Sequence, residues 1–326
     1  MRVTFINVGY GDAILVQMPD GFTALLDGGS ALPEEFEGDP YRIRSIDYLK
    51  SQGIEHLDAV LISHIHEDHV CGLEPVFESL QVDQVFVPYP VEPFLEGKEL
   101  RAGEGAFRSV PLYTAALNAY RRILLKAKQC NIPIHVLSVG STTEITPDLD
   151  IRVLAPRGAV IEKYMSMIQS AYDQPGDAPT DLLTKLDGMS NRTSLLLQMK
   201  TDEFSFLMAA DSCPIEWNES DIILLQNVNV LKLPHHGQID SVSEKFMKNM
   251  PLSYVVTTSA SDRRYNSANE KVYQQIRSWY PEDRQPVFLF SDEREYSPFF
   301  SRPEGFQAIT LVTDSGEITP EFIKIK

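Results

Sequence analysis

Three cysteines in 326 residues are too few, and too scattered, to organise this chain. Cys71, Cys130 and Cys213 are odd in number and share no close spacing, which argues against a disulfide framework and a thiolate metal site. No run of eighteen apolar residues occurs, so no membrane span is expected. Positive charge is also scarce. Lys and Arg together number 29 against 46 Asp and Glu, a formal net charge of −17. Binding to a long polyanion depends on neutralising phosphates with such side chains, so a protein that coats duplex nucleic acid is disfavoured. A small phosphorylated substrate stays compatible, because divalent ions can supply local positive charge. Met1-Arg2-Val3-Thr4-Phe5-Ile6 enters a strand pattern at once, without the apolar stretch and cleavage site of a signal peptide, and a cytoplasmic location is the expectation. Repeats and linkers are absent too. One domain over 1–326 is expected, with insertions at 91–130 and 157–190.

Histidine, in contrast, is concentrated. Three of the seven histidines fall in Ser63-His64-Ile65-His66-Glu67-Asp68-His69. The apolar run 59–62 before it reads as a short buried strand, and Val70-Cys71-Gly72-Leu73 after it reads as a turn into a helix. Residues two apart in an extended segment share a side, so His64 and His66 can aim at one point. Asp68 follows the same alternation, and the bend into the helix turns His69 away. One loop can thus serve two metal ions about 3.5–4 Å apart, the spacing of two-metal hydrolytic sites. Imidazole and carboxylate donors without thiolate suit zinc, manganese or iron.

The rest of the chain alternates strands and helices. Strands are expected at 2–8, 13–18 and 22–26, joined by Gly9-Tyr10-Gly11-Asp12 and Pro19-Asp20-Gly21 turns. Asp27, at a strand end before two glycines, is a candidate partner of a metal-bound histidine, or simply an Asp-Gly turn. A long amphipathic helix is expected over 110–130, and an irregular, lid-like insertion over 157–190. His56 reads as a surface residue and His135 as a sheet residue. Asp211 ends an apolar strand, 204–210, and a carboxylate in that position needs a partner. Pro234-His235-His236-Gly237 ends another strand. Ligand-type residues at strand ends gather at one rim of an α/β fold.

Together these segments resemble the metallo-β-lactamase superfamily. The resemblance is carried by Asn7-Val8-Gly9-Tyr10-Gly11-Asp12-Ala13, Leu26-Asp27-Gly28-Gly29, His64 to His69, Asn191-Arg192-Thr193-Ser194, Ala210-Asp211 and Pro234-His235-His236-Gly237, in family order. It is strongest toward the soluble hydrolase domain of competence-type DNA-uptake channels and its free-standing relatives. It implies a four-layer αββα sandwich of the α/β class, with the site at one end. It implies His64 and His66 on a first metal, Asp68 and His69 on a second, and Asp211 bridging. His235 would complete the second site while His236 faces substrate. Asp68, His236 and Asn191 would serve catalysis, and Asp12, Asp27 and Ser194 would support the ligands. Two divalent ions, Zn2+ or Mn2+, are implied, with a hydroxide between them as nucleophile. The chain departs from the family pattern at three places. Asn191 stands where most relatives carry a histidine ligand, Tyr10 stands where Gln is frequent, and Asn266-Ser267 stand where a histidine often follows a tyrosine.

The expected activity is hydrolysis of a phosphodiester in a small nucleotide or at a nucleic-acid end, without a membrane partner. The same chemistry would serve a lactone, thioester or β-lactam hydrolase. A non-catalytic metal-binding regulator would be expected to have broken ligands, and here only the Asn191 position departs.

Overall fold

Alternating apolar residues in short strands set two large sheets face to face. The computed structural model describes residues 1–103, 105–301 and 305–325. In the N-terminal half, β1 (Arg2–Ile6), β2 (Ile14–Gln17) and β3 (Thr23–Leu26) are antiparallel, and β5 (Ala59–Leu61), β7 (Val85–Val87) and β8 (Ile134–Val136) extend them in parallel. The two-residue strands β4 (His56–Leu57) and β6 (Gln81–Val82) pair with each other. The second sheet runs from β9 (Thr142–Thr146) and β10 (Leu149–Ala155) through β11 (Leu196–Lys200) and β12 (Ser205–Met208) to β13 (Val230–Lys232), β14 (Tyr254–Thr257) and β15 (Val287–Phe290). The chain then returns as β16 (Ala308–Asp314) and β17 (Glu317–Ile323), which close the first sheet against β1.

The period of two decides which face each residue serves. Ile14 and Val16 of β2 pack between the sheets with Leu197, Phe206 and Val255, whereas Leu15 points to the other side. There it meets α1 (Ser45–Ser51), the metal-loop helices α2 (Glu67–Val70) and α3 (Glu74–Ser79), and the insertion helices. These last are α4 (Glu92–Glu96), α5 (Ser109–Gln129), α6 (Gly158–Tyr172) and α7 (Thr180–Ser190). The helix Glu270–Trp279 covers the second sheet through Val272, Tyr273 and Ile276. Helices thus lie outside two sheets, as expected for the αββα arrangement.

The segment 157–190 departs from its expectation. It is not an irregular lid but two helices, α6 and α7, whose Tyr164, Ile168, Leu183 and Leu186 pack in the same core as α5. Their apolar residues fall at helical spacing, and only the Gln174-Pro175-Gly176-Asp177 turn between them has loop chemistry. Glu104, within the insertion 91–130, lies outside the described residues.

Asp27, the His64–His69 loop, Asp211 and the 235–237 turn sit at one rim because the strands before them are parallel. Strands β12, β13 and β14 run side by side in one direction, so Asp211, the 235–237 turn and Thr258 emerge together. Across from them, β3 and β5 end at Asp27 and at the His64 loop.

Candidate metal centre

The metal loop is short of space, and glycine makes it possible. A Cβ on Gly11, whose φ is +135°, would lie 2.3 Å from the backbone oxygen of Asp68. That oxygen accepts a hydrogen bond from the Asp12 amide at 3.1 Å. A Cβ on Gly72 would lie 2.0 Å from the Gly28 oxygen, so the turn after β3 and the turn after the loop touch backbone to backbone.

Two groups of donors converge. His64, His66 and Asp211 form one, and Asp68, His69 and His236 form the other, each with its donor atoms within 4.8 Å of one another. His64 Nε2 lies 3.1 Å from His66 Nδ1, and His69 Nε2 lies 3.3 Å from His236 Nε2. Asp211 reaches both groups. Its Oδ2 is 3.8 Å from His64 Nε2, and its Oδ1 is 3.4 Å from His69 Nε2 and 3.2 Å from His236 Nε2. Asp68 Oδ2 lies 3.1 Å from His236 Nε2 and 3.6 Å from His69 Nε2.

Each fully buried imidazole has its outer nitrogen backed by a second group. His69 Nδ1 lies 2.8 Å from Asp27 Oδ2, and Asp27 also accepts from the Ser63 amide at 2.8 Å and the Ser63 hydroxyl at 2.6 Å. Ser63 Oγ is 3.0 Å from His64 Nδ1. His236 Nδ1 donates to the Thr258 carbonyl at 2.7 Å. Inner nitrogens are thereby left with lone pairs toward the centre, the tautomer that metal ligation needs. Ser194 supports Asp211 by accepting its backbone N–H at 3.1 Å. Asp12 lies beneath, its Oδ1 accepting from Thr258 Oγ1 at 2.5 Å and its Oδ2 2.5 Å from the buried Lys232 Nζ. Lys232 Nζ donates also to the Ala210 carbonyl at 2.9 Å.

The donor set fits divalent cations. Nitrogen lone pairs facing each other at 3.1 and 3.3 Å repel unless a proton or a cation lies between them. Asp211 Oδ1 and Asn191 Oδ1 are buried without a hydrogen-bond donor. Burial opposes ionisation of Asp211, but the facing His236 and His69 hold its carboxyl well below the usual range. Burial likewise pulls the His236 pKa down, and the Asp211 and Asp68 carboxylates outweigh it, to about 9. His64 goes the other way, kept well below 6.5 by burial and by His69.

One expectation is reversed. His236, not His235, belongs to the second donor group. Both residues have left-handed backbone, φ 47° at His235 and 53° at His236, followed by Gly237 at 72°. The turn sends His236 inward, fully buried, and His235 outward to the cleft. There His235 Nδ1 lies 3.1 Å from Asp240 Oδ1, and its Nε2 lies 3.0 Å from the Asn191 amide and 2.9 Å from that of Gln238. Asn191 therefore pairs with His235 instead of joining a donor group, and the first group has two imidazoles rather than three.

A cleft of about 420 Å³ opens over the centre, walled by Leu32, Tyr10, Tyr265 and, from the 91–130 insertion, Phe107, Leu112 and Tyr113. Asp187 and Asn191 enter it from the end of α7. Lys232, Thr258, Gln238 and Asp240 were not signalled by any motif. Lys232 had one mark, a lone charge inside the apolar run Val230-Leu231-Lys232-Leu233, which requires a buried partner. His56 pairs with Asp83 at 2.9 Å, and His135 stacks on Phe86, both away from the centre.

Residues 6–127 match the model of the metallo-beta-lactamase superfamily. ComE operon protein 3 of Bacillus subtilis (strain 168) is 23% identical over 289 residues, which is 85% of this chain and 30% of that protein. The chain thus spans about 30% of the length of that relative. Among solved structures, Zn(2+)-bound PqqB from Methylobacterium extorquens superposes with a TM-score of 0.46 at 10% identity, over 90% of this chain and 98% of that one. Isothiocyanate hydrolase from Delia radicum gut bacteria gives 0.46 at 14% identity, over 92% and 100%. A diphosphatase from the PhnP family gives 0.44 at 13% identity, over 89% and 94%. The matched segment, residues 6–127, and the donor groups assembled at the rim together support a reading of this chain as a metallo-β-lactamase superfamily hydrolase.

Proposed function

We propose that the chain hydrolyses phosphodiester bonds of small substrates, a nucleotide or a nucleic-acid end, with two divalent ions, Zn2+ or Mn2+. The observation that carries this reading is the shared carboxylate. Asp211 directs one oxygen to each donor group, so two cations would sit side by side and face a single cleft. Such a pair neutralises a phosphate and lowers the pKa of a water held between the ions. The protein's own part is orientation. Asp27, Ser63 and Thr258 fix the imidazole tautomers. His235, held by Asp240 and flanked by Asn191 and Gln238, meets the substrate from the opposite wall. The sequence resemblance to competence-type hydrolase domains supports this substrate class.

The test is metal analysis combined with a panel of a bis-aryl phosphodiester, a dinucleotide, a lactone and a thioester. Metal-dependent turnover of the diesters, with the lactone and thioester slow, is expected. Preference for lactone or thioester would overturn the reading. Asp68→Ala should lower diester turnover by at least about 10³-fold at unchanged fold, since it removes a carboxylate from the second donor group; retention of near wild-type turnover would exclude the mechanism.

A further inference from the structure

The first donor group holds two imidazoles and the Asp211 carboxylate it shares with the second, because Asn191 pairs with His235. The second is backed by Asp27 and by the Thr258 carbonyl. Within the first group His66 is turned differently from the other inward-facing histidines. It presents Nδ1 to the centre, 3.1 Å from His64 Nε2, so its Nε2 points away. That outer nitrogen lies 3.3 Å from Asp187 Oδ1 and 3.4 Å from the Asp187 carbonyl oxygen.

We infer that Asp187 is the positioning residue of His66: a carboxylate carried by the helical insertion that orients a metal-ligating imidazole and strengthens it as a donor.

Three independent features place Asp187 there. Its register comes from α7, where Asp187 and Asn191 are four residues apart and both face the cleft. The helix end is pinned to the metal loop, since Ser190 Oγ donates to the carbonyl of Ile65, between the two histidines, at 2.7 Å. Thr193 Oγ1 in turn donates to the Ser190 carbonyl at 2.6 Å and meets the buried Tyr89 hydroxyl at 2.5 Å. Finally, Asp187 has no arginine or lysine partner: His66 is its ion-pair partner among the described residues, with the side chains 17% and 18% exposed.

A negative charge on Nε2–H makes the opposite nitrogen a better donor and holds the ring in plane. The gain falls on the group that has two imidazoles and no carboxylate of its own beside the shared Asp211. It also makes occupancy of that group depend on how the insertion helix is seated.

The experiment reads metal binding, not hydrolysis, so it stands whatever the substrate is. Chelator-stripped wild type, Asp187→Ala and Asp187→Asn are titrated with Co2+ against a competing chelator, with visible spectra recorded for each bound ion. Asp187→Ala should weaken one of two ions by about 10–100-fold, leave the other unchanged and alter the spectrum of the weakened one. Asp187→Asn, which keeps an acceptor oxygen without the charge, should fall between alanine and wild type. Melting of the stripped proteins should not differ. Affinities of both ions within twofold of wild type in Asp187→Ala would overturn the inference. So would equal weakening of both ions with a lower melting temperature of the stripped protein, which marks a structural role. Absence of any bound ion in the wild type would overturn it together with the metal-dependent reading.

Discussion

The tandem His235-His236 shows how much one turn decides at the scale of the residue. Both side chains suit a metal, and both follow the same strand. Two successive left-handed residues, each disfavoured for a side chain with a Cβ, put one ring inside the cluster and the other in the cleft. His236→Ala should therefore cost one ion more than the roughly 10–100-fold that changes beyond the ligands cost, whereas His235→Ala should keep both ions and slow turnover. Metal stoichiometry of the two variants decides it, and the opposite pattern would restore the order expected from sequence. Glu67 offers a second test. Burial pushes its carboxyl up to about 7, against hydrogen bonds from the Ala31 amide and Ser30. A folded pKa above the unfolded one adds stability below the unfolded value, and that stability is lost as pH rises through the folded one. For Glu67 the window is from 4.5 to about 7. The shift is worth on the order of 3 kcal/mol. In chelator-stripped protein, Glu67→Gln should match wild type near the lower end of this window, gain on it progressively through the window and keep a constant advantage above its upper end. A difference that does not change with pH in denaturant titrations would contradict this.

At the scale of the element, the metal loop is held by turns that touch along their backbones. Gly28 and Gly72 meet so closely that a methyl group on Gly72 would fall 2.0 Å from a carbonyl oxygen. Nothing there is the far end of a flexible side chain, so the backbone itself must move. Gly72→Ala is expected to destabilise the fold by about 2–4 kcal/mol and to displace the loop that carries Asp68 and His69. Denaturant titration of the stripped protein gives the first quantity and Co2+ affinity the second. A variant with wild-type stability would show that this contact is looser than described. The insertion helices teach a complementary lesson. Their apolar residues bury α6 and α7 against α5, and the first turn of α5 and the last turn of α7 line the cleft. The segment 157–190 is a packed helical wall and not an irregular lid.

The whole molecule carries a net charge of −17, and cations near the cleft are few. Arg108, at its edge, pairs with Glu34 at 3.3 Å, and Arg264 pairs with both Glu35 and Asp262. On the proposed reading, a phosphate in the cleft would have to be recognised mainly by bound cations, and a long duplex would meet a repelling surface. Turnover of a dinucleotide or bis-aryl diester should exceed that of long duplex DNA and change little with salt. Tight duplex binding whose logarithm falls steeply with log salt would refute the small-substrate reading and indicate several phosphate contacts.

Local chemistry alone determined the strands, the metal loop and most donors, because a period of two and a strand end leave signatures within a few residues. His64, His66, Asp68, His69 and Asp211 were legible in that way, and so was Asp27 as a candidate support, whereas Asp12 and Ser194 entered only through the family resemblance. Other features arise only when distant segments meet. Which of His235 and His236 turns inward depends on backbone angles that no residue type there demands. That Asn191 reaches for His235 depends on α7 and the 234–237 turn arriving at the same wall. Lys232 under Asp12 is set by β13 of one sheet meeting the β1–β2 turn of the other, 220 residues apart in sequence. Asp187 behind His66 is set by a helix whose seat on the metal loop is a single serine bonded to a backbone carbonyl. Pairings of this kind follow from the packing of the folded chain, since their energy appears only once the intervening chain has been ordered.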